Sequence, residues 1–522
     1  MPQTYYEKVL EKDREFSSLD GRMQMDSDML YLAKYVMKDK SGKAIPDIIN
    51  ATLNKPAVLA ANVISSLGSV KQQLIVDTDN SRIDTTTIEN IIQSSMDMAN
   101  ARNRKLRYPN LNQAADVGLC IRGRHFRRVL FRMEDGVLVP DICAWDGRYV
   151  RYEIGTDGME WAAYSMQRSA GEIMADYGIG IKGTWDKVTD IWTKDHEQVW
   201  IGNKQVREYE HPYDYVPVVG QIVPLGYGDT LLDANRVKNE GESIFFLIRD
   251  VVPQLNQLLS VLETLNFLSI KRPMNYLTKD GSQSTPPAYE DAIAPGAITS
   301  GDLGGGLAPI DFGDASKAAE MIYGIIEKAV QEGGYTDIDI GNVNQPFSAV
   351  ALVTIGESKD QVYLPRLAAK EYLNIDTAEM IIRQLKDIGG NLELGEKGHA
   401  KTYSMSLLDG EYSVDYKYFV KSPKIDVARI AMAQQARPFY PLTYIWKEVL
   451  QVEDVKGMEE DWYSEQAELL DPNIRTHRTI MRLLSKAEEE LNEEAAWEAR
   501  ILAAGMGMRI NQIQAGMTPE MG

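Results

Sequence analysis

Hydrophobic and polar positions alternate most tellingly across residues 345–388, QPFSAVALVTIGESKDQVYLPRLAAKEYLNIDTAEMIIRQLKDI. In its second half Leu364, Ala368, Ile375, Ala378, Ile382 and Leu385 recur at the spacing of one helix face. Lys370, Glu371, Asp376 and Arg383 are left for other surroundings. A helix of this length spans roughly 60 Å at about 1.5 Å per residue. Pro346 sits where a first-turn proline is tolerated, and Gly389-Gly390 supplies the stop. Pro365 lies in the middle. It lacks an N–H and its ring opposes the carbonyl of Gln361, so the pattern predicts one kinked helix.

Three further helices are expected between residues 231 and 332. One covers 231–250, and Pro253 separates it from the next. In residues 254–270, Leu255, Leu258, Leu259, Leu262 and Leu265 make an apolar face. Asn256, Gln257, Ser260, Glu263 and Asn266 make a polar, weakly charged one, as any surface helix shows, a ring-lining one included. Residues 315–332 carry Ala319, Ile322, Ile325, Ile326 and Val330 behind Asp314 or Ser316 as cap. Near the N-terminus, Asp26-Ser27-Asp28 suggests a helix start running to Met37. Residues 51–76 read as helix, turn and strand. Thr85 or Thr86 is placed to cap the helix that follows.

Between 129 and 223 the period changes to two. Hairpins are expected around Asp135-Gly136 and Asp157-Gly158, with Gly202-Asn203 as another turn and a short helix over 169–177. A further hairpin about Asp409-Gly410 is expected to return to this sheet, and the chain reads as helical from Lys424 onward. Between the helices at 254–270 and 315–332 lie some forty turn-rich residues, MNYLTKDGSQSTPPAYEDAIAPGAITSGDLGGGLAPIDFGD. A polar loop, GGYTDIDIGNVNQ, precedes the long helix.

Helix, irregular excursion, helix, polar loop and long kinked helix, behind a strand-rich block, is an order that resembles the portal (head-to-tail connector) proteins of tailed bacteriophages. The resemblance implies a predominantly helical α+β fold. Its parts would be a wing over 1–252 (β-rich at about 125–225), a first stem helix over 253–272 and a clip over 273–314. A second stem helix over 315–332, a tunnel loop over 333–345, the rest of the wing over 346–423 and a helical crown and tail over 424–522 would follow. It implies a homo-oligomeric ring, typically of twelve subunits, at one capsid vertex of the virion, assembled in the host cytoplasm. Double-stranded DNA would pass through the ring without being tightly bound. The terminase large subunit and later head-completion or adaptor proteins would dock at the clip, and major capsid and scaffold proteins would surround the ring. Asp337, Asp339, Asn342, Asn344 and Gln345 would then face the channel, and Tyr276, Tyr289, Glu290 and Asp291 would belong to the docking site.

Composition narrows the picture. With 44 % apolar and 25 % charged residues over 522 positions, the chain can bury a large core and hold several subdomains. No apolar run is long enough to span a bilayer, and the polar N-terminus carries no signal-peptide pattern, so no membrane role is expected. Two cysteines, Cys120 and Cys143, argue against a disulfide framework. A net charge of −20 suits a surface that DNA slides past rather than one that clamps it. Against that charge, residues 102–132 are basic: Arg102, Arg104, Lys105, Arg107, Arg122, Arg124, Arg127, Arg128 and Arg132. They could bind phosphates or an acidic partner. Pairing with acidic neighbours between subunits, or a solvated strand edge, is the commoner use of such a run and the favoured reading, since aromatics for base stacking are almost absent.

Enzymatic chemistry is not evident. Residues 77–89 place Arg82 and Ile88 where a calcium loop needs Gly and Glu. GDLGGGLAP lacks the Gly-Lys-Ser/Thr ending of a phosphate loop. His125, His196, His211, His399 and His477 form no metal-binding spacing, and no cofactor or metal is expected. The rival reading is a large two-domain soluble enzyme, such as a carboxylate-based hydrolase. A closely placed carboxylate pair of raised pKa in a cleft would favour it.

Overall fold

The computed structural model describes residues 4–78, 80, 83–134, 137–224, 236–270, 274–277, 306–309, 322–324, 349–395, 400–419, 423–450, 455–490 and 493–514. The chain opens with α1 (Tyr5–Glu15), α2 (Ser17–Leu30), α3 (Lys55–Ser69), β1 (Lys71–Asp77), α4 (Thr85–Lys105) and α5 (Leu111–Ile121). The strand block follows: β2 (Arg124–Glu134), β3 (Val137–Asp146), β4 (Val150–Gly155) and β5 (Gly158–Ser169). A short α6 (Ala170–Tyr177) leads to β6 (Trp185–Thr193), β7 (His196–Ile201), β8 (Lys204–Glu210) and β9 (Val218–Ile222). Then come α7 (Val251–Ile270), β10 (Met274–Leu277), β11 (Gly306–Pro309) and α8 (Ala349–Ile388). Strands β12 (Asn391–Leu394), β13 (Lys401–Ser404) and β14 (Ser413–Phe419) precede helices at Pro423–Ala436, Val455–Leu470, Pro472–Glu490, Glu493–Gly505 and Ile510–Gln514. The chain is thus a mixed helix-and-sheet protein. It divides into one unit of residues 1–346 and 357–421 and another of 347–356 and 422–522.

In the first unit a three-stranded sheet of order β3-β2-β9 and a five-stranded sheet of order β4-β5-β6-β7-β8 share a core. Period two along β2 explains how. Phe126 and Leu130 face Trp145, Val150, Ala162 and Trp192 of the inter-sheet core. Val129 and Phe131 face the other way, into a core with Ile91, Ile92, Leu373, Ile381 and Leu385 of α4 and α8. Strand β2 is therefore buried on both faces. Strands β2 and β3 pair as far as Glu134↔Val137, with Asp135-Gly136 outside the described residues; hairpin β4–β5 closes at Gly155↔Gly158 and β7–β8 at Ile201↔Lys204, as the Asp-Gly and Gly-Asn signals predict. Gly202, at φ 57, supplies the positive φ of the last turn. Ser169 caps α6 reciprocally with Glu172.

Four sequence expectations are corrected. Residues 231–250 are not a continuous helix where described: Arg236–Asn239 forms a 3-10 turn and residues 244–250 isolated hydrogen-bonded turns. Arg22, 1 % exposed, donates to the carbonyls of Lys238 at 2.7 Å, Glu240 at 3.2 Å and Gly241 at 2.7 Å, so these oxygens serve a distant guanidinium rather than a helix ladder. Gly241 has φ 67. The early helix does not start at Asp26 but runs through it, ending at Leu30 before Leu32 with φ 52. Asp26 is held by Arg249 and Ser27 donates to the carbonyl of Met23, so both are interior rather than capping groups. The cap of α4 is Asp84, which accepts from the Thr87 N–H at 3.1 Å, not a threonine. Around Asp409-Gly410 there is no hairpin: β13 pairs with β12, and β14 pairs with β1 in a separate two-stranded sheet.

Two helix faces also differ from their patterns. Along α7, Asn256, Ser260 and Thr264 accept hydrogen bonds from the N–H groups of Leu53, Ala51 and Ile49 at 2.9–3.0 Å. Four helical residues rise about 6 Å and two extended residues about 6.6 Å, so an extended segment can be read rung by rung by an i, i+4 row. Part of the polar face expected to line a ring is thus occupied by the chain's own residues 49–53. Helix α8 runs unbroken past Pro365, but Leu364 is 54 % exposed while Lys370 is buried.

The second unit packs Ile480, Ala499, Ala503 and Ile513 against Leu483, Leu484, Leu502 and Met506. Small residues at 495, 499 and 503 recur every fourth position of Glu493–Gly505, which lets the preceding helix approach closely.

Candidate functional site

The basic segment 102–132 is not one surface patch. Its strand portion turns inward because β2 is covered on both faces. Arg127, fully buried, donates to Asn374 Oδ1 at 2.6 Å, Thr377 Oγ1 at 3.1 Å, the Leu111 carbonyl at 3.2 Å and Asn112 Oδ1 at 3.3 Å. Burial lowers its pKa to about 10. Neighbouring His125 is held neutral: burial, then Arg127, push it down to about 3. Arg128 points to the opposite face and spans the two sheets, reaching Asp141 at 2.8 Å and Asp190 at 3.1 Å. Arg124 lies 3.2 Å from Glu240 and its guanidinium sits over the Phe16 ring. Arg122 holds Asp146 with two bonds of 3.0 Å and also reaches Ser27. These four arginines are internal fasteners with partners in their own chain, which corrects both the favoured reading of inter-subunit pairing or a solvated strand edge and the rival reading of a patch open to phosphates.

The helical portion differs. Arg102 pairs with Asp141 at 2.7 Å, whereas Arg104, Lys105 and Arg107 are exposed. They sit on a tight turn closing α4, where the Tyr108 N–H bonds to the Asn103 carbonyl at 2.9 Å and the Arg107 N–H to that of Arg104 at 3.1 Å. This is a Schellman-type ending, with Arg107 at φ 62 where glycine is usual.

Helix α8 supplies a buried polar row that its apolar pattern did not reveal. Arg366, Lys370, Asn374, Thr377 and Gln384 are each at most 5 % exposed. Lys370 Nζ meets Asp116 at 2.6 Å. Gln384 accepts from the Phe131 N–H at 2.9 Å and donates to the Val129 carbonyl at 2.6 Å, clasping β2 where β9 does not pair with it. The sequence signal was present: 366, 370, 374, 377 and 384 share one helix face, but polar residues there read as solvent-facing.

Of the other candidate residues, Asp337, Asp339, Asn342, Asn344, Gln345, Tyr289, Glu290 and Asp291 lie outside the described residues. So do most of 273–314 and 315–332. Tyr276 lies on β10, opposite Leu307 of β11. Pro365 is internal to α8.

The carboxylate pair that an enzyme reading asks for has a counterpart in Asp190 and Glu197. Burial raises Asp190 to about 6 against the pull of Arg128, and the charge of Glu197 adds to the rise. Both are closed off, at 7 % and 4 % exposure, and neither lines the cavity found in this unit. That cavity, of about 620 Å³, is open and lined by Tyr5, Glu160, Lys194, Asp195, Glu210, His211, Pro212, Tyr213 and Asp214. His211 is buried on Trp192, with Nε2 3.2 Å from the Thr193 carbonyl, and burial lowers its pKa. Among the described residues no cluster of three or more His, Cys, Asp or Glu could hold a metal, and no helix is long and apolar enough to cross a membrane. Cys120 and Cys143 are unbridged, and burial pushes the Cys120 thiol up to about 12.

No protein-family model matches this chain, and no curated protein matches it. Among solved structures it is similar to a chain in the virion of a native gene transfer agent particle, at 12 % identity and a TM-score of 0.39 over 76 % of this chain and 89 % of that one. It is also similar to a chain in the neck of an empty gene transfer agent particle, at 11 % identity and a TM-score of 0.42 over 76 % and 89 % of the two chains.

Proposed function

We propose that this chain is the subunit of a portal ring, the conduit through which double-stranded DNA enters and leaves a phage-type capsid. The observation that carries the reading is α8: forty residues of unbroken helix through Pro365, following a two-sheet block and the long helix α7. In the proposed assignment α8 is the long wing helix, kinked at Pro365. Helix α7 and residues 315–332 are the stem, 273–314 the clip, 333–345 the tunnel loop and 424–522 the crown. Strands β10 and β11, paired antiparallel, would form the base of the clip. A net charge of −20 supports passage without adhesion, since a cationic lumen would retain phosphate. The inward-turned arginines agree with this, because they leave fewer cations at the surface.

The ring would sit at one capsid vertex with about twelve copies, as is usual for the family it resembles. A motor such as the terminase large subunit, then adaptor proteins, would dock on the clip around Tyr276, Tyr289, Glu290 and Asp291. Asp337, Asp339, Asn342, Asn344 and Gln345 would face the DNA. The chain would act without catalysis or cofactor. Native mass spectrometry of the purified chain tests this: a discrete closed oligomer formed without nucleotide or metal is expected, and a monodisperse monomer at micromolar concentration refutes it.

A further inference from the structure

A ring of one repeated subunit needs a head-to-tail contact, in which one surface of a copy meets a different surface of the next. Copies of net charge −20 repel, so that contact has to bring unlike charges together locally. The first unit carries two features of this kind.

The first is the turn at the end of α4. Arg104, Lys105 and Arg107 are exposed, and among the described residues none of the three makes an ion pair or side-chain hydrogen bond. Between and beside them Leu106 is 53 % and Tyr108 58 % exposed. The turn is firmly based: Arg102 is paired with Asp141, and the Asn103 side chain, buried, donates to the Ile142 carbonyl at 3.1 Å. The cations are therefore presented on a fixed backbone rather than on a loose loop.

The second is the open cavity of about 620 Å³, roomy enough for an arginine side chain with a tyrosine ring. Glu160, Asp195, Glu210 and Asp214 line it against a single lysine, Lys194, with Tyr5 and Tyr213 as aromatic walls. Lys194 meets Glu160 at 2.9 Å, Arg383 reaches Asp214 at 2.6 Å, and Asp195 accepts from the Thr193 hydroxyl at 2.8 Å and lies 3.0 Å from His196 Nδ1, so four carboxylates face two fixed cations and the negative charge is in excess, most openly at Glu210. The Tyr5 phenol registers it: burial, then Asp195 and Glu160, raise its pKa. His211 lies in the same wall, 5 % exposed.

We infer that the Arg104–Tyr108 turn of one copy docks in the acidic, aromatic-walled cavity of the next. The inference rests on the ring reading and deepens it by naming the two halves of a subunit contact. Duplex DNA fits the turn less well, since backbone phosphates make no use of Leu106 and Tyr108. In the cavity, an arginine guanidinium finds carboxylates to bond and rings to stack on.

Charge reversal with cross-rescue is the test, using the full chain and sedimentation velocity at physiological salt. R104E/R107E and, separately, E160R/E210R are expected to stay folded by circular dichroism and to weaken self-association at least about tenfold. An equimolar mixture of the two is expected to restore assembly, because every junction again joins unlike charges. Variants that assemble as the parent does, or a mixture that fails to rescue, overturn the inference while leaving the ring reading intact. Loss of duplex binding by R104E/R107E with assembly unchanged assigns the turn to DNA and also overturns it. A parent chain that never assembles overturns both.

Discussion

Removing the carboxylate of Asp116 should be among the most damaging polar substitutions in the first unit. Asp116 on α5 and Lys370 on α8 are 2.6 Å apart, and their side chains are 3 % and 4 % exposed. Lys370 Nζ also lies 5.6 Å from the centre of the Tyr418 ring. At an effective dielectric of about 20 the pair attracts by about 6 kcal/mol, but both ions have lost their hydration. Burial outweighs Lys370 in setting the Asp116 pKa, which is raised, so the pair is held at a net cost. Asp116→Ala leaves the ammonium buried and unpaired and should destabilise by about 3–5 kcal/mol. Adding Lys370→Met should recover most of that, since neither charge is then buried. The sign with pH follows from the raised carboxyl: in Lys370→Met alone, Asp116 loses its cation, so the variant should be least impaired at low pH and lose stability as pH rises through the elevated pKa. Peptide-resolved hydrogen exchange over α5 and α8 measures the opening free energy of this unit without requiring the whole chain to unfold in one step. An Asp116→Ala variant within about 1 kcal/mol of the parent, or a double variant no better than the single, would refute the reasoning.

Three other outcomes follow from the same packing. Gly123→Ala should destabilise by more than about 3 kcal/mol in chemical denaturation, because an added Cβ would lie 1.7 Å from the Gly241 carbonyl oxygen at a φ of +72. Burial raises Asp190 from 3.8 to about 6 against the pull of Arg128, so ionising it costs folded-state stability; the thermal midpoint of Asp190→Asn relative to the parent should shift in the variant's favour as pH rises from about 4 through about 6, and a difference that does not change with pH would refute this. Ser260→Ala should cost about 1 kcal/mol and speed exchange of the Ala51 amide, which the Ser260 hydroxyl accepts at 2.9 Å.

Much of the fold was legible because it rests on local signals. The turn signals around residues 157–158 and 202–203 set two hairpins, Ser169 and Glu172 set α6, and the apolar period of residues 364–388 set the long helix. What was not legible depends on partners distant in sequence. Arg127 reads as a surface cation until Asn374 and Thr377 of α8, some 250 residues on, surround it. Residues 236–250 carry helix-compatible side chains, but the carbonyls of Lys238, Glu240 and Gly241 answer to Arg22, more than 200 residues earlier. The row Asn256, Ser260, Thr264 looks like a wet helix face, yet it serves the backbone of residues 49–53. Hydrophobic periodicity locates a helix and its buried side only when that side is apolar. Here the buried side of α8 includes a lysine, an arginine and three hydrogen-bonding side chains. Apart from Tyr276 on β10, the channel and docking residues proposed from sequence lie outside the described residues.

Electron microscopy of the purified chain tests the central claim most directly. The account predicts end-on views of a closed ring with an open centre, wide enough for duplex DNA, in the absence of nucleotide, metal or any partner. Dispersed single subunits, or a compact two-fold dimer without a channel, would contradict it.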